Sequence, residues 1–197
     1  MSGKARLTGA LAKHADRSLP KVARLFDAYD ISYCLDGGTL LGLYREGRFL
    51  PWDNDIDFFV KNESADRIKS LWWRLLFLGF KLEMHEAEKP YGPIGVGSPR
   101  IYKLKSIQRF DGRRLIIDLI FKYPDESHYH WVIGKNPSVH KKVERKFYDR
   151  FDELKYRGRS YPIPCDTAAY LTHRYGDWRR PVQDYNFKTD DRAIVEK

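Results

Sequence analysis

The sequence predicts an α/β fold. Three observations carry that prediction: short runs rich in Ile, Leu, Val and Phe recur along the chain, stripes of apolar residues at helical spacing lie between them, and Gly, Pro or Asp-Gly stands at the joints. A chain of 197 residues is expected to be one domain, large enough to bury a sound core. Its 42% hydrophobic and 15% aromatic content excludes a disordered protein. No apolar run approaches the ~20 residues that span a bilayer, so a soluble protein is expected.

Ser18 and Pro20 are start signals for a first helix with Leu19, Val22, Leu25, Phe26 and Tyr29 on one stripe, which leaves residues 1–17 as an extension. Residues 32–35 read as a short strand ending at a glycine pair, and residues 39–45 as a brief helix stopped by Gly47. Residues 56–60 form the next strand. Ser64 is placed to cap a helix whose buried stripe is Ile68, Leu71, Trp72, Leu75 and Leu76, ended by Gly79; Trp72 and Trp73 read there as packing residues. A strand over 80–84 leads into residues 89–99, a Gly- and Pro-dense loop that is either a lid on the site or variable surface. Strands over 100–104 and 115–121 follow, joined by a turn at Asp111-Gly112. Further on, Arg157-Gly158 turns residues 154–156 back on 161–163, Asp166 caps a last helix over 167–175, and Gly176 ends it. Tyr175-Gly176-Asp177-Trp178 reads as a helix stop with an aromatic packed beneath it.

The chemistry concentrates between Asp36 and Asp57. In a strand, residues two apart point the same way, so Asp55 and Asp57 aim both carboxylates at one point while Ile56 and Phe58 enter the core. Two hard oxygen ligands suit Mg²⁺ or Mn²⁺. Gly37 and Gly38 have no Cβ and allow a phosphate to approach the backbone N–H groups at the start of the helix near Thr39. The plainer alternative is a polar turn, Asp53-Asn54-Asp55, ahead of an apolar strand, with ordinary turn glycines. Asp118 stands alone in the apolar run Leu115-Ile116-Ile117-Asp118-Leu119-Ile120-Phe121, where a carboxylate is costly unless a cation or donor neutralises it. It is the candidate third metal ligand; a structural Asp118 would instead need an arginine such as Arg100 or Arg109. Asp53 either extends the metal shell or acts as general base. Asp36 ranks below these acids. Arg100 and Lys103, on a strand beside the site, are candidates to reach a donor phosphate, and Trp52 reads as a buttress of the acidic loop more than as a stacking platform.

The net charge of +9 draws anionic partners, with basic residues dense at 100–114 and 135–146; the second cluster reads as solvated helix faces and loops. No His-Glu-x-x-His pattern, Gly-x-Ser-x-Gly elbow or Gly-Lys-Ser/Thr phosphate loop occurs, which argues against those hydrolases and P-loop kinases. Cys34 and Cys165 are too few for a disulfide framework, and the basic start Met1-Ser2-Gly3-Lys4-Ala5-Arg6 is not followed by an apolar signal core, so a reducing cytoplasm is expected.

The segment Asp36-Gly37-Gly38-Thr39-Leu40-Leu41-Gly42 through Pro51-Trp52-Asp53-Asn54-Asp55-Ile56-Asp57 resembles the signature of the LicD/fukutin family. The run around Asp118 resembles that family's second acidic strand, and Tyr161-Pro162-Ile163-Pro164 with Tyr170-Leu171 and Tyr175-Gly176-Asp177-Trp178 its carboxy-terminal block. The resemblance implies a nucleotidyltransferase-like mixed sheet flanked by helices, with a core over 18–121 and a small C-terminal hairpin and helix within 122–197. It implies a Mg²⁺- or Mn²⁺-dependent phosphotransferase that moves phosphocholine, ribitol phosphate or glycerol phosphate from a CDP-linked donor to a glycan or lipid-linked glycan acceptor in cell-surface polysaccharide synthesis. Asp55, Asp57 and Asp118 would hold one or two metals; Gly37, Gly38 and Thr39 would grip donor phosphates. Arg45 and Arg48 fall where the family carries basic residues and are phosphate clamps or exposed helix-end arginines. The chain lacks the transmembrane anchor of Golgi-resident fukutin relatives, so a cytoplasmic enzyme, free or peripheral to the membrane, is expected. The rival reading is a nucleotidyltransferase acting on RNA or a small metabolite; few residues remain for an RNA-binding module, so nucleic acid is not the expected partner.

Overall fold

In the computed structural model, which describes residues 6–110 and 112–195, the chain begins with α1 (Gly9–Ala28), β1 (Tyr33–Leu35), α2 (Gly37–Glu46) and β2 (Ile56–Lys61). Two short helices follow, α3 (Ala65–Ser70) and α4 (Trp72–Phe77), then β3 (Phe80–Glu86), β4 (Pro99–Ser106) and β5 (Ile116–Pro124). Two hairpins, β6 (His128–Ile133) with β7 (Val139–Glu144) and β8 (Phe151–Tyr156) with β9 (Arg159–Pro164), precede α5 (Thr167–Tyr175).

The main ladder runs β1-β2-β5-β4-β3, and β6-β7 extends it from the far end of β5. β2 and β5 are parallel and their neighbours are antiparallel, so the sheet is mixed and flanked by helices. Both central strands are covered on both faces, which is why Phe58, Phe59 and Val60 are buried in succession instead of alternating. On one face Phe26 of α1 meets Tyr33 and Phe58 edge to face, with ring centroids 5.4 to 5.8 Å apart. On the other, Phe59 packs against Tyr148 at 4.5 Å. Register fixes the site. Asp57 lies opposite Asp118, Asp118 opposite Lys103, and Lys103 opposite Glu83, a row of charges across four strands.

Several elements differ from the sequence reading. The first helix starts at Gly9, not at Ser18, and runs through Pro20. Its continuous buried stripe, Leu11, Ala15, Leu19, Val22, Ala23 and Phe26, outweighs the roughly 3 kcal/mol that an internal proline costs. Ser64 makes no side-chain cap bond, and the expected single helix breaks at Leu71; Ile68, Leu71 and Leu75 are buried, whereas Trp72 and Leu76 turn outward. The basic cluster at 135–146 is neither helix nor loop alone but includes β7, and Lys141 within it is fully buried. Met1 to Ala5 and Asp111, half of the expected turn, lie outside the described residues; Phe110 and Arg113 exchange backbone hydrogen bonds around that position. The loop after β3 is not a lid on the acidic residues. Ile94 anchors it against Ala87 and Val132, at the opposite end of the sheet from Asp57 and Asp118.

Beneath α2 lies a buried ionic network. Lys122 of β5 donates to Asp36 Oδ2 at 2.5 Å and to the Tyr148 hydroxyl; Tyr170 donates to Asp36 Oδ1 at 2.5 Å. Arg174 of α5 donates to the Tyr170 hydroxyl (2.5 Å) and to Asp191 (2.5 Å, Nη2 to Oδ2), and Lys141 donates to the same Asp191 oxygen at 2.6 Å. Lys122 Nζ also sits 4.0 Å from the Trp131 ring centroid. Burial opposes ionisation of Asp36, yet Lys122 and Arg174 hold its carboxyl down at about 2. Burial and Arg174 together lower Lys141 to about 8 despite Asp191. Removing one partner leaves uncompensated charge in the core, so Asp191→Ala is expected to cost about 3–5 kcal/mol. For a domain of this size that is a fall in melting temperature of roughly 6–20 °C, measurable by calorimetry.

Candidate functional site

Asp36 occupies the N-cap of α2 but makes no capping bond, because its carboxylate is turned into the core network. Its backbone N–H donates to the Asp57 carbonyl at 3.2 Å, which ties the start of α2 to the start of β2. Gly37 then takes φ +58°, the left-handed region. A Cβ on Gly37 would stand 2.1 Å from Asp57 Oδ2, and one on Gly38 would stand 1.9 Å from Asp53 Oδ2. The glycine pair is therefore the bed on which two carboxylates lie. The Gly38 N–H donates to Asp57 Oδ2 at 3.1 Å instead of standing open to a phosphate, and Thr39, buried, accepts the Asp57 N–H on Oγ1 at 3.0 Å.

Carboxylate oxygens of Asp53, Asp55 and Asp57 lie within 4.8 Å of one another. Burial, then mutual repulsion, pushes all three carboxyls up: Asp53 to about 7, with Asp57 its main charged neighbour, and Asp55 and Asp57 well above the usual carboxylate range. Three hard oxygen donors with no adequate cation of their own fit a divalent metal. Asp118 stands differently. It borders Asp57 in the parallel ladder, but its Oδ2 is held by Lys103 Nζ at 2.5 Å, while its buried Oδ1 has no hydrogen-bond partner. Burial raises Asp118 and Lys103 counters it. The structure thus gathers Asp53 with Asp55 and Asp57, leaves Asp118 as their charged neighbour, and sets a lysine, not Arg100 or Arg109, beside Asp118.

The basic residues divide. Lys103 faces the acids, whereas Arg100, three positions earlier on β4 and so on the opposite face, donates to the backbone carbonyls of Glu86 (3.2 Å) and Gly134 (2.7 Å) and does not reach the cluster. Arg45 and Arg48 both pair with Glu46, at 2.6 and 2.9 Å. Arg45 also donates to the Trp178 carbonyl at 2.8 Å, which anchors it beneath α5; Trp178 itself is buried and donates to Thr172, as expected of an aromatic packed under a helix stop. Arg48 remains exposed. With Glu46, Trp52, Arg179 and Gln183 these arginines line a cleft of about 400 Å³, and Trp52 in its wall directly precedes Asp53 in the sequence. Arg179 and Gln183 escaped the sequence reading; the Arg179-Arg180 pair after Trp178 is the signal that could have marked them.

The family model described as LicD/FKTN/FKRP, nucleotidyltransferase domain, matches residues 30–166. The chain is 37% identical over 62 residues to the lipopolysaccharide cholinephosphotransferase LicD of Haemophilus influenzae, covering 32% of this chain and 23% of that protein. It is 23% identical over 194 residues to the human ribitol-5-phosphate transferase FKTN, covering 91% of this chain and 36% of the relative. To the human ribitol 5-phosphate transferase FKRP it is 36% identical over 59 residues, 28% of this chain and 12% of the relative. The chain thus spans about a third or less of the length of these curated relatives.

An unfolded Asp titrates near 3.9, whereas folded Asp53 titrates at about 7. Below pH ~4 both states hold the proton; between ~4 and ~7 only the folded state does, so Asp53 weakens the metal-free fold progressively across that window. Asp53→Asn is expected to gain stability relative to wild type as pH rises from about 4 to about 7 and to hold that gain above. Melting temperatures in chelator across that range check this; a difference independent of pH would remove the strained carboxyl.

Proposed function

The chain belongs to the LicD/FKTN/FKRP family, and on that premise we propose that it transfers a phosphate-linked substituent, of the phosphocholine, ribitol phosphate or glycerol phosphate type, from a CDP-activated donor to a glycan hydroxyl. The observation that carries this reading is the convergence of Asp53, Asp55 and Asp57, with Trp52, the neighbour of Asp53 in sequence, in the wall of a cleft lined by Arg45, Arg48 and Arg179 together with Glu46.

Each residue has a part in it. Asp53, Asp55 and Asp57 would hold Mg²⁺ or Mn²⁺, seated on the glycine pair that leaves no room for a side chain. The ion would supply charge neutralisation at the donor's diphosphate and polarise the transferring phosphorus. Arg48 and Arg179 offer forked donors to the same diphosphate, Arg45 fixes the cleft wall through Trp178, and Trp52 presents a ring for the nucleobase. Lys103 pairs with Asp118 next to Asp57 and stands at the edge of the cluster. Phosphoryl transfer asks for placement more than covalent help, and the buried network under α2 supplies the rigidity that placement needs.

Two measurements test the reading. Melting temperature in the presence of CDP-choline, CDP-ribitol, CDP-glycerol, CTP, ATP and UTP, each with Mg²⁺ or Mn²⁺, should rise with at least one CDP-linked donor and metal together. Saturation at a hundred times Kd corresponds to about 2.7 kcal/mol. A rise confined to the triphosphates would favour a nucleotidyltransferase instead. Second, Asp55→Asn and Asp57→Asn should each lower turnover at saturating Mn²⁺ by about a hundredfold or more, with no loss of melting temperature in chelator. Turnover within a few-fold of wild type in either variant would dismiss the metal assignment.

A further inference from the structure

The short helix α4 does not look like an ordinary surface helix. Trp72 is 58%, Trp73 40% and Phe77 85% exposed, and Leu76 is exposed between them, while Leu75 alone is fully buried. Trp73 and Phe77 stack edge to face at 6.0 Å, and the Arg74 guanidinium lies 4.2 Å from the Trp73 ring centroid. Across a cleft of about 480 Å³, α1 contributes Lys21 and Arg24 opposite Trp73, Arg74 and Phe77, and no carboxylate lines that cleft among the described residues. Beyond the end of α4, the exposed Ile107 donates its N–H to Gly79 at 2.8 Å and extends the apolar rim, with Arg114 bonded to its carbonyl at 2.7 Å.

We propose that this face seats the protein on an anionic lipid surface. Aromatic and aliphatic side chains projecting from a helix, ringed by Lys and Arg without acids, match the headgroup and acyl boundary of a bilayer: rings enter, ammonium and guanidinium groups stay wet and meet lipid phosphates. A protein partner fits less well. It would bury Lys21, Arg24 and Arg74 and would have to supply an acid for each, and a second copy of this face would set like charges against one another. The net charge of +9 adds the long-range attraction. No helix of the described residues is long and apolar enough to cross a membrane, so the contact is with the surface. α4 passes through Gly79 into Phe80, opposite Ser106, at the end of the sheet where β2 and β5 begin. Seating would bring that end, with its acidic cluster, toward the headgroups and toward an acceptor carried on a lipid; only this last clause rests on the transferase reading.

The test is co-sedimentation of the full chain with phosphatidylcholine vesicles, with and without phosphatidylglycerol, at physiological salt. Wild type should pellet with the anionic vesicles and bind the neutral ones at least tenfold more weakly. Trp73→Ser/Phe77→Ser and Lys21→Glu/Arg24→Glu should each weaken the anionic partition by about tenfold or more, with donor binding and melting temperature unchanged. Wild-type protein that ignores anionic vesicles, or vesicle binding that survives both variants, would overturn the proposal. So would self-association or RNA retention that these variants abolish while vesicles bind neither form. Failure of donor binding with vesicle binding intact would count against the transferase reading alone.

Discussion

A single carboxylate that never meets solvent organises the site. Asp36 would by position be a helix cap, but Lys122 and Tyr170 draw its side chain inward, and the first turn of α2 takes its contacts from Asp57 instead. With Asp36 pinned and its N–H on the Asp57 carbonyl, the glycine pair can only lie against Asp53 and Asp57. The donors come from β5 and α5, and Asp191 beyond α5 holds Arg174 and Lys141 in turn. The network therefore links elements far apart in sequence to the two-residue step that bears the acids. Its value lies in specifying that arrangement more than in stability, since a buried ion pair gains little over a well-packed apolar substitute.

The molecule treats two sets of carboxylates, one buried and one half-buried, in opposite ways. Asp36 and Asp191 are surrounded by protein cations and held below the usual range, so they stay ionised without help. Asp53, Asp55 and Asp57 are crowded together with a lysine only at their margin and are pushed up. Structural acids come with their counter-charge; acids that await one do not. The contrast within one chain supports reading the second group as a cation site more strongly than the cluster would alone.

Local signals were legible and long-range ones were not. The strand pattern put Asp57 at the start of β2, with Asp55 in the bend just before it, and Arg157-Gly158 and Asp166 marked the β8–β9 turn and the α5 cap, because each of those features is settled within a few residues. The start of α1 was misplaced because proline is a strong local signal, and only the packing of Leu11 and Ala15 overrides it. β7 was hidden because Val139-His140-Lys141-Lys142 looks solvated until Asp191, fifty positions on, neutralises Lys141. Asp36 was ranked low for the same reason: its partners are at 122, 148, 170 and 174. The outward turn of Trp72 follows from a break at Leu71 that periodicity alone does not reveal.

The row Asp57, Asp118, Lys103, Glu83 bears on how the sheet finds its alignment. β5 is apolar on both faces, so greasy contact alone would tolerate sliding it one position along β2 or β4. A slide of one would rotate Asp118 toward the aromatic layer under α1 and away from Lys103, and the misaligned sheet would carry an unpaired carboxyl in its centre. The charges thus act as a checksum on strand assembly, rejecting near-miss pairings during folding that apolar side chains cannot tell apart.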